Sequence, residues 1–443
     1  MKLFKKIVIF FSLSIIFSND CSVLQSLYDS NSYLEAYSEI INLGGENLTN
    51  DKCILLAYNT LFKLENFNEA KKYLDKLLKN NPDNSDFIKL SDLLTKVLQN
   101  YKSSKYTLEK IDVDDAINEY KNILKDEELK NISLFHSGLG MAYKKKFMNS
   151  SLADSMNFDL LDLSISSYNK AQSINKKYDE EIKNIAKYLT NLGKNSMSND
   201  ELDKALAYFS KATEYDPNYN VSYFYLGQLY MKIQDYELAI ESYESGLGSN
   251  FKNGNYKILY LLGTCYQKLN KFEKAETFFQ FSINNEPTYT KARFALANLY
   301  YKQQDFEKSK TVIFNILDID SNYIKAYELL INILLDTKNY KSAREYAIKG
   351  LEINTKSYFL YSQLAFLDNE EGKYESAITN SNDALSLKRN YGPALIALAT
   401  ANVYLCNKIA AEDAFKKAKR YDRRQVKQLQ DWANQHFKSP ACK

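Results

Sequence analysis

The chain has 443 residues, 58 basic against 55 acidic side chains and a formal net charge of +3. That near-balance excludes the strongly basic surface that marks a nucleic-acid binder. Only 5 prolines and 13 glycines interrupt the sequence, and no Pro/Gly/Ser-rich linker sets off a second domain, although length alone suggests two or three.

The first element lies outside the fold. Lys2, Lys5 and Lys6 form a positive start, and Ile7 to Phe17 is an apolar run of eleven residues. Such a run fits the core of a secretory signal peptide and falls short of the roughly 20 residues that a spanning helix needs. Residues 1–18 therefore read as a signal peptide cleaved after Ser18, with Ile16 and Ser18 at the −3 and −1 sites. Cys21 raises lipidation as an alternative, but Ser18 and Asp20 stand where a lipobox needs a leucine-like and a small residue. An uncleaved anchor is a further alternative. A membrane link is expected only through such an uncleaved or lipidated N-terminus. The expected location is outside the cytoplasm: the periplasm or cell envelope, for a bacterial source.

Residues 19–185 read as irregular helical hairpins. Val23 to Tyr28 is a short first helix, and Ala36 and Ile40 mark a second. Asp51 to Pro82 is a clean unit, with Phe67, Ala70, Leu74 and Leu77 on one helical stripe. Ser85 to Tyr101 is helical by pattern, and Ala116, Tyr120 and Ile123 mark another second helix. Leu139, Gly140 and Tyr143 open a unit whose second helix carries Ser164, Tyr168 and Ala171. Between its halves the sequence predicts an inserted loop near 145–158, around Phe147 to Phe158. Long surface loops cost little, so a tolerated insertion is favoured over a binding loop.

From residue 186 to 423 seven units follow in phase. Leu192, Leu226, Leu262, Leu296, Leu330, Leu364 and Leu398 are separated by 34, 36, 34, 34, 34 and 34 residues. A fixed period of this length means one supersecondary unit stacked side by side. With Ala186 as position 1, the leucine is position 7. Position 8 reads Gly193, Gly227, Gly263, Ala297, Ile331, Ala365, Ala399, and position 20 reads Ala205, Ala239, Ala275, Ser309, Ala343, Ala377, Ala411. Both columns are mostly small because two helices come close there. Position 24 is often large, as in Phe209, Tyr243, Phe279 and Phe415. The step of 36 places two extra residues around Ser249 to Asn255, a loosened join between units. Residues 424–443 form a polar capping helix and tail, with Trp432 expected to pack on the last repeat.

These columns resemble the tetratricopeptide repeat (TPR) family, whose 34-residue helix–turn–helix pattern is W-x2-L-G-x2-Y, then A-x3-F, then P. The best matches are Leu226-Gly227-Tyr230 with Ala239 and Tyr243, and Leu262-Gly263-Tyr266 with Ala275, Phe279 and Pro287; no unit carries the tryptophan. The resemblance implies an all-α fold: a right-handed α-solenoid of tandem helix-turn-helix repeats closed by a C-terminal capping helix.

The resemblance also implies a concave groove built from first-helix positions 2, 5, 9, 12 and 13. Carried onto this chain, those positions give Phe224, Gln228, Met231, Lys257, Tyr260, Lys268, Lys291, Phe294, Asn298, Tyr301, Lys325 and Asn332. Aromatics supply contact area at low entropy cost, amides can satisfy an extended backbone, and lysines attract acidic groups. The chain holds 36 Tyr and 24 Phe, so any wall would carry some aromatics. No unit has lysine at position 5, as the family's carboxylate clamp requires.

Export permits disulfides. Cys21 and Cys53 lie near the starts of adjacent first helices, and Cys442 should return toward the last inter-helix turn at Cys406. The expected pairs are Cys21–Cys53 and Cys406–Cys442, with Cys265 a packed free thiol. The two histidines, His136 and His436, are far apart, and no CxxC, HExxH or EF-hand spacing appears. No catalytic group, metal or cofactor is therefore expected. The reading is an exported, non-enzymatic scaffold for a protein or peptide partner. Glycan or cell-wall polymer binding by the aromatic wall is the alternative.

Overall fold

The computed structural model describes residues 20–150, 158–248, 255–421 and 423–442. The expected signal peptide at 1–18 and most of the join around 249–255 lie outside the described residues. Every regular element among the described residues is helical. They fall into two compact units, one ending at Leu229 and the other beginning at Tyr230.

Unit 1 contains the hairpins Ser22–Asp29/Tyr33–Asn42, Asp51–Lys63/Phe67–Asn80, Ser133–Asn149/Asp159–Ile174 and Asp179–Ser198/Leu202–Tyr215. Between the second and third of these, one helix, Ser85–Tyr106, runs on into a π-helical turn, Thr107–Ile111, before Val113–Ile123. Asp112 starts that last helix by accepting from the backbone N–H groups of Asp114 and Asp115.

The inserted loop expected near 145–158 is shorter at its start. Residues 145–149 continue the helix Ser133–Asn149, and 151–157 are outside the described residues. Phe147 and Phe158 are buried and stacked at 6.2 Å, pinching the two ends of the insertion together. Helix continues because Lys144, Lys145 and Lys146 are good helix formers and Phe147 gains a core contact.

Unit 1 also has a tie that skips along the sequence. The Glu65 carboxylate, 4% exposed, accepts from the Ser133 hydroxyl and the Tyr178 phenol and pairs with the Lys177 ammonium. Beside it the Asn175 amide donates to the Lys63 carbonyl at 3.1 Å. A purely nearest-neighbour stack would leave this turn in water.

Unit 2 is more regular: Tyr256–Lys268/Phe272–Asn285, Thr290–Lys302/Phe306–Ile319, Ile324–Asp336/Tyr340–Ile353, Tyr358–Glu370/Tyr374–Leu387 and Gly392–Tyr404/Lys408–Ala418, preceded by Tyr236–Leu247 and closed by Arg423–His436. The small columns do the work that the sequence assigns them. A Cβ added at Gly263 would sit 2.6 Å from the Phe279 ring, and one at Gly193, in unit 1, would sit 2.6 Å from Phe209. Where serine replaces alanine at position 20, its hydroxyl is used. Ser309 Oγ donates to the Ala297 carbonyl at 2.8 Å, and Ser164 in unit 1 donates to that of Gly140 at 2.7 Å.

The turn inside each hairpin repeats a backbone feature. Position 15 is left-handed at Asp200, Gln234, Asn270, Gln304, Lys338, Gly372 and Cys406, and at the matching Asn31 and Glu65. The next residue's N–H then reaches back to the first helix: Lys271 to Tyr266 at 2.9 Å, Asp305 to Tyr300 at 2.9 Å, Asn339 to Leu334 at 2.7 Å. This is a Schellman closure, which satisfies carbonyls that the helix end leaves open. Only Gly372 takes the conformation without a Cβ penalty.

Neighbouring hairpins are also tied by a buried charge. Asp368, 1% exposed, accepts from Arg344 Nη2 at 2.8 Å and from Ser376 Oγ and Asn380 Nδ2, each at 2.7 Å. The closing helix buries Val426 and Ala433, and Trp432 packs on Tyr404 with ring centroids 5.4 Å apart. Beyond it the chain turns back, and Cys442 is disulfide-bonded to Cys406, with Cα atoms 5.3 Å apart. Cys21 and Cys53 differ from the pairing expected of them. Both are buried thiols lying side by side, without a disulfide between them. Burial and the neighbouring Cys21 push the Cys53 thiol up to about 12, which holds it protonated and unreactive. Burial likewise pushes Cys265 up to about 12.

Two outcomes test this packing. Gly263→Ala should destabilise unit 2 by about 1–3 kcal/mol through overpacking against Phe279, read as a lower urea midpoint. Lys338→Gly should stabilise it by about 0.5–1 kcal/mol by relieving the left-handed backbone, while Gly372→Ala lowers stability. A Lys338→Gly variant less stable than the parent would contradict the position-15 account.

Candidate functional site

The residues expected to line a groove divide between the two units. Phe224 and Gln228 belong to unit 1 and are half-buried. Phe224 packs edge-on against Tyr225, with centroids 5.2 Å apart. The other ten belong to unit 2; nine of them, all but Met231, stand on the first helices Tyr256–Lys268, Thr290–Lys302 and Ile324–Asp336, which lie side by side.

Within unit 2 the side chains fall into three groups. Tyr260 and Phe294 are half-buried and belong to neighbouring aromatic groups on successive hairpins. Tyr260 meets Tyr289 at 5.7 Å, Tyr289 meets Tyr256 at 4.9 Å, and Phe294 meets Tyr323 at 5.8 Å. Burial raises the phenol pKa values of Tyr289 and Tyr323, and the neighbouring Tyr260 adds to both shifts. These hydroxyls therefore stay protonated and act as neutral donors and acceptors. The second group is peripheral: Lys257, Lys268, Lys291 and Lys325 are exposed, and the Lys257 ammonium lies 5.7 Å from the Tyr256 ring centre.

The third group is turned toward the fold itself. Met231 Sγ accepts from the Tyr243 hydroxyl at 3.3 Å. Tyr301 donates to Asp336 at 2.8 Å and packs on Phe306. Asn298 and Asn332 are half-buried at the same register of successive first helices.

Three contributors escaped the sequence reading. Tyr289, Tyr323 and Tyr391 all occupy the last position of a repeat, one residue before the next first helix. That column also holds Tyr219 and Ser357. The beat of leucines was sufficient to find it. Farther along the unit Tyr391 meets Tyr358 at 4.8 Å, with the Lys388 ammonium 4.4 Å from the Tyr358 ring centre. Glu328, at position 5, is half-buried. Burial raises its carboxyl pKa, and Lys325 opposes that only in part.

The face has breadth, aromatic area and a fringe of ammonium groups; among the described residues it holds no nucleophile against a base. His136, in unit 1, has its Nε2–H donating to the Lys130 carbonyl at 2.8 Å, and burial lowers its pKa. It is a packed, neutral histidine. Among the described residues no helix is long and apolar enough to cross a membrane.

Comparison with known proteins places the repeats. A tetratricopeptide repeat model matches residues 53–84, and the model for anaphase-promoting complex, cyclosome, subunit 3 matches residues 198–282. The chain is 32% identical over 86 residues to Protein bimA of Emericella nidulans, covering 19% of this chain and 10% of that protein. It thus spans about a tenth of the length of that curated relative. Among solved structures, a tetratricopeptide repeat protein from Parabacteroides merdae aligns at 18% identity with a TM-score of 0.46, over 56% of this chain and 99% of that one. YrrB, described as a TPR protein with an unusual peptide-binding site, aligns at 22% identity with a TM-score of 0.35, over 44% of this chain and 96% of that one. With a tetratricopeptide repeat model matched at residues 53–84, and with its 34-residue columns folded as packed helical hairpins, the chain carries tetratricopeptide repeats.

Proposed function

We propose that the protein is a non-enzymatic scaffold, exported to the cell envelope, that holds a peptide or protein partner on the first-helix face of unit 2. The observation that carries this reading is the unbroken contact of Tyr256, Tyr260 and Tyr289, with Phe294 and Tyr323 continuing it on the next hairpins. Large aromatic side chains kept half-exposed in a contiguous row supply binding area with little entropy left to lose. Lys257, Lys291 and Lys325 stand around it and favour an acidic segment. Balanced net charge supports a protein rather than a nucleic-acid partner. Export rests on the character of residues 1–18. The runner-up ligand is a glycan stacked on the same rings.

Selection of a random-peptide library on residues 19–443 tests the reading. Enriched peptides should bind the parent and lose at least tenfold in affinity to Tyr260→Ala/Phe294→Ala/Tyr323→Ala, since each buried aromatic anchor is worth about 1–2 kcal/mol. Peptides that bind parent and triple variant equally would remove the face from consideration. Retention on immobilised polysaccharide that the triple variant loses, without peptide selection, would favour the glycan. Glu328 gives an independent check on the same surface. Its raised pKa means that the folded state holds the proton more tightly than the unfolded chain. Its ionisation therefore opposes folding as pH rises above the ordinary glutamate value of about 4.3. Glu328→Gln should raise the melting temperature at pH 7 and converge with the parent below pH 4. A variant equally destabilised at both pH values would refute the burial assignment.

A further inference from the structure

The structure assigns a second state to the C-terminal hook of unit 2: with its disulfide opened, Cys406, Cys442 and His436 hold a zinc ion. One ligand atom from each of the three lies within 4.8 Å of the others. Tetrahedral zinc, with Zn–S near 2.3 Å and Zn–N near 2.0–2.1 Å, sets neighbouring ligand atoms roughly 3.4–3.8 Å apart. Two sulfurs released from their mutual bond need only separate modestly to meet that spacing. The donor set of two thiolates and an imidazole suits zinc, and three protein ligands leave the fourth position to water.

A separate observation points to a ligand here. His436 Nε2 is buried without a hydrogen-bond partner among the described residues, and so is the nearby Ser439 hydroxyl. A buried imidazole nitrogen left without a partner is costly and uncommon. Its ring is nevertheless held in place, 5.4 Å from Tyr404 and 5.7 Å from Trp432 by ring centroids. Packing has fixed a donor that hydrogen bonding does not use. Three separate parts of the chain bring the ligands together: the left-handed turn residue Cys406, the last residue of the closing helix, and the short turn Pro440–Cys442.

The two states exclude each other. A dithiol reductant attacks one sulfur of the Cys406–Cys442 bond and leaves as its own disulfide. It delivers two electrons and two protons, so both cysteines become thiols. Zinc then replaces the two thiol protons, which pass to solvent. Either state pins the tail to the last hairpin, one by a covalent bond and the other by coordination. The hook thus stays closed in an oxidising compartment and in a reducing one that supplies zinc.

The test uses the full chain and cobalt as a spectroscopic stand-in for zinc. After reduction by a phosphine, Co²⁺ should bind one per chain, with thiolate charge-transfer absorption and tetrahedral d–d bands that zinc abolishes. The oxidised chain should show neither. Cys406→Ser/Cys442→Ser should lose the charge-transfer band. His436→Ala, which keeps the disulfide and so folds as the oxidised parent does, should bind at least tenfold more weakly once reduced. Cys21→Ser/Cys53→Ser should keep the spectrum. No band on reduction would overturn the site. So would a band that survives in Cys406→Ser/Cys442→Ser, which would place the metal at the Cys21–Cys53 pair. Unchanged affinity in His436→Ala would overturn the three-ligand geometry.

Discussion

The structure depends on one close approach, repeated in each hairpin. Position 8 of the first helix faces position 20 of the second and, in most repeats, a large group at position 24. At Gly263 there is no room for even a methyl group beside Phe279. Once that distance is set, the rest follows. The helices cross at a fixed separation, position 7 fills the seam with leucine, and successive hairpins present equivalent faces. The hydroxyls of Ser309 and Ser164 show how tight the seam is, because each reaches the carbonyl of the facing helix directly. A larger side chain would separate the backbones and break that bond.

This constraint made the repeats legible in the sequence, since a steric column admits few residue types and so leaves a visible pattern. Features that constrain only the backbone were not legible. Position 15 is left-handed in every hairpin with a described turn, yet it is filled by Asp, Gln, Asn, Lys, Glu, Cys and one Gly. The Schellman bond sets the dihedral there, and the side chain takes different roles, from the exposed Lys338 to the buried Glu65 and the disulfide-bonded Cys406, so no one type is selected. Buried charges were invisible for a related reason. Asp368 and Glu65 look like ordinary acidic residues until the partners from other helices are placed around them, in one case 113 residues away. The hook at Cys406, His436 and Cys442 has no local spacing that a motif could report.

Charge burial also separates the two kinds of tie between repeats. The apolar seam is non-directional and tolerates substitution of similar volume. The Arg344–Asp368 network is directional, and removing one member would leave a charge in the interior with no partner, which costs about 3–5 kcal/mol. Glu65 plays the corresponding part in unit 1, but across the sequence rather than between neighbours. Where the repeats are less regular, this long-range polar clamp adds directional contacts that the apolar seam does not supply.

The aromatic face is legible in a different sense: the fold does not demand it. Position 5 is Thr190, Phe224, Tyr260, Phe294, Glu328, Ser362 and Ile396 in successive repeats, and every one of these units forms a first helix there. At the last position of the repeat, Ser357 replaces tyrosine and caps the next helix through Oγ, accepting from the Leu360 N–H at 3.3 Å. Since the hairpin also forms with Ser, Glu or Thr at position 5 and with Ser at the last position, the fold does not require the rings at Tyr260, Tyr289, Phe294 and Tyr323. These four are nonetheless adjacent in space and half-buried rather than scattered. Abundance of tyrosine in the chain explains their number but not their contiguity. Stability accounts for the columns at 7, 8, 20 and 24. Contiguity of rings at positions that also accept Ser, Glu or Thr is what a binding surface requires.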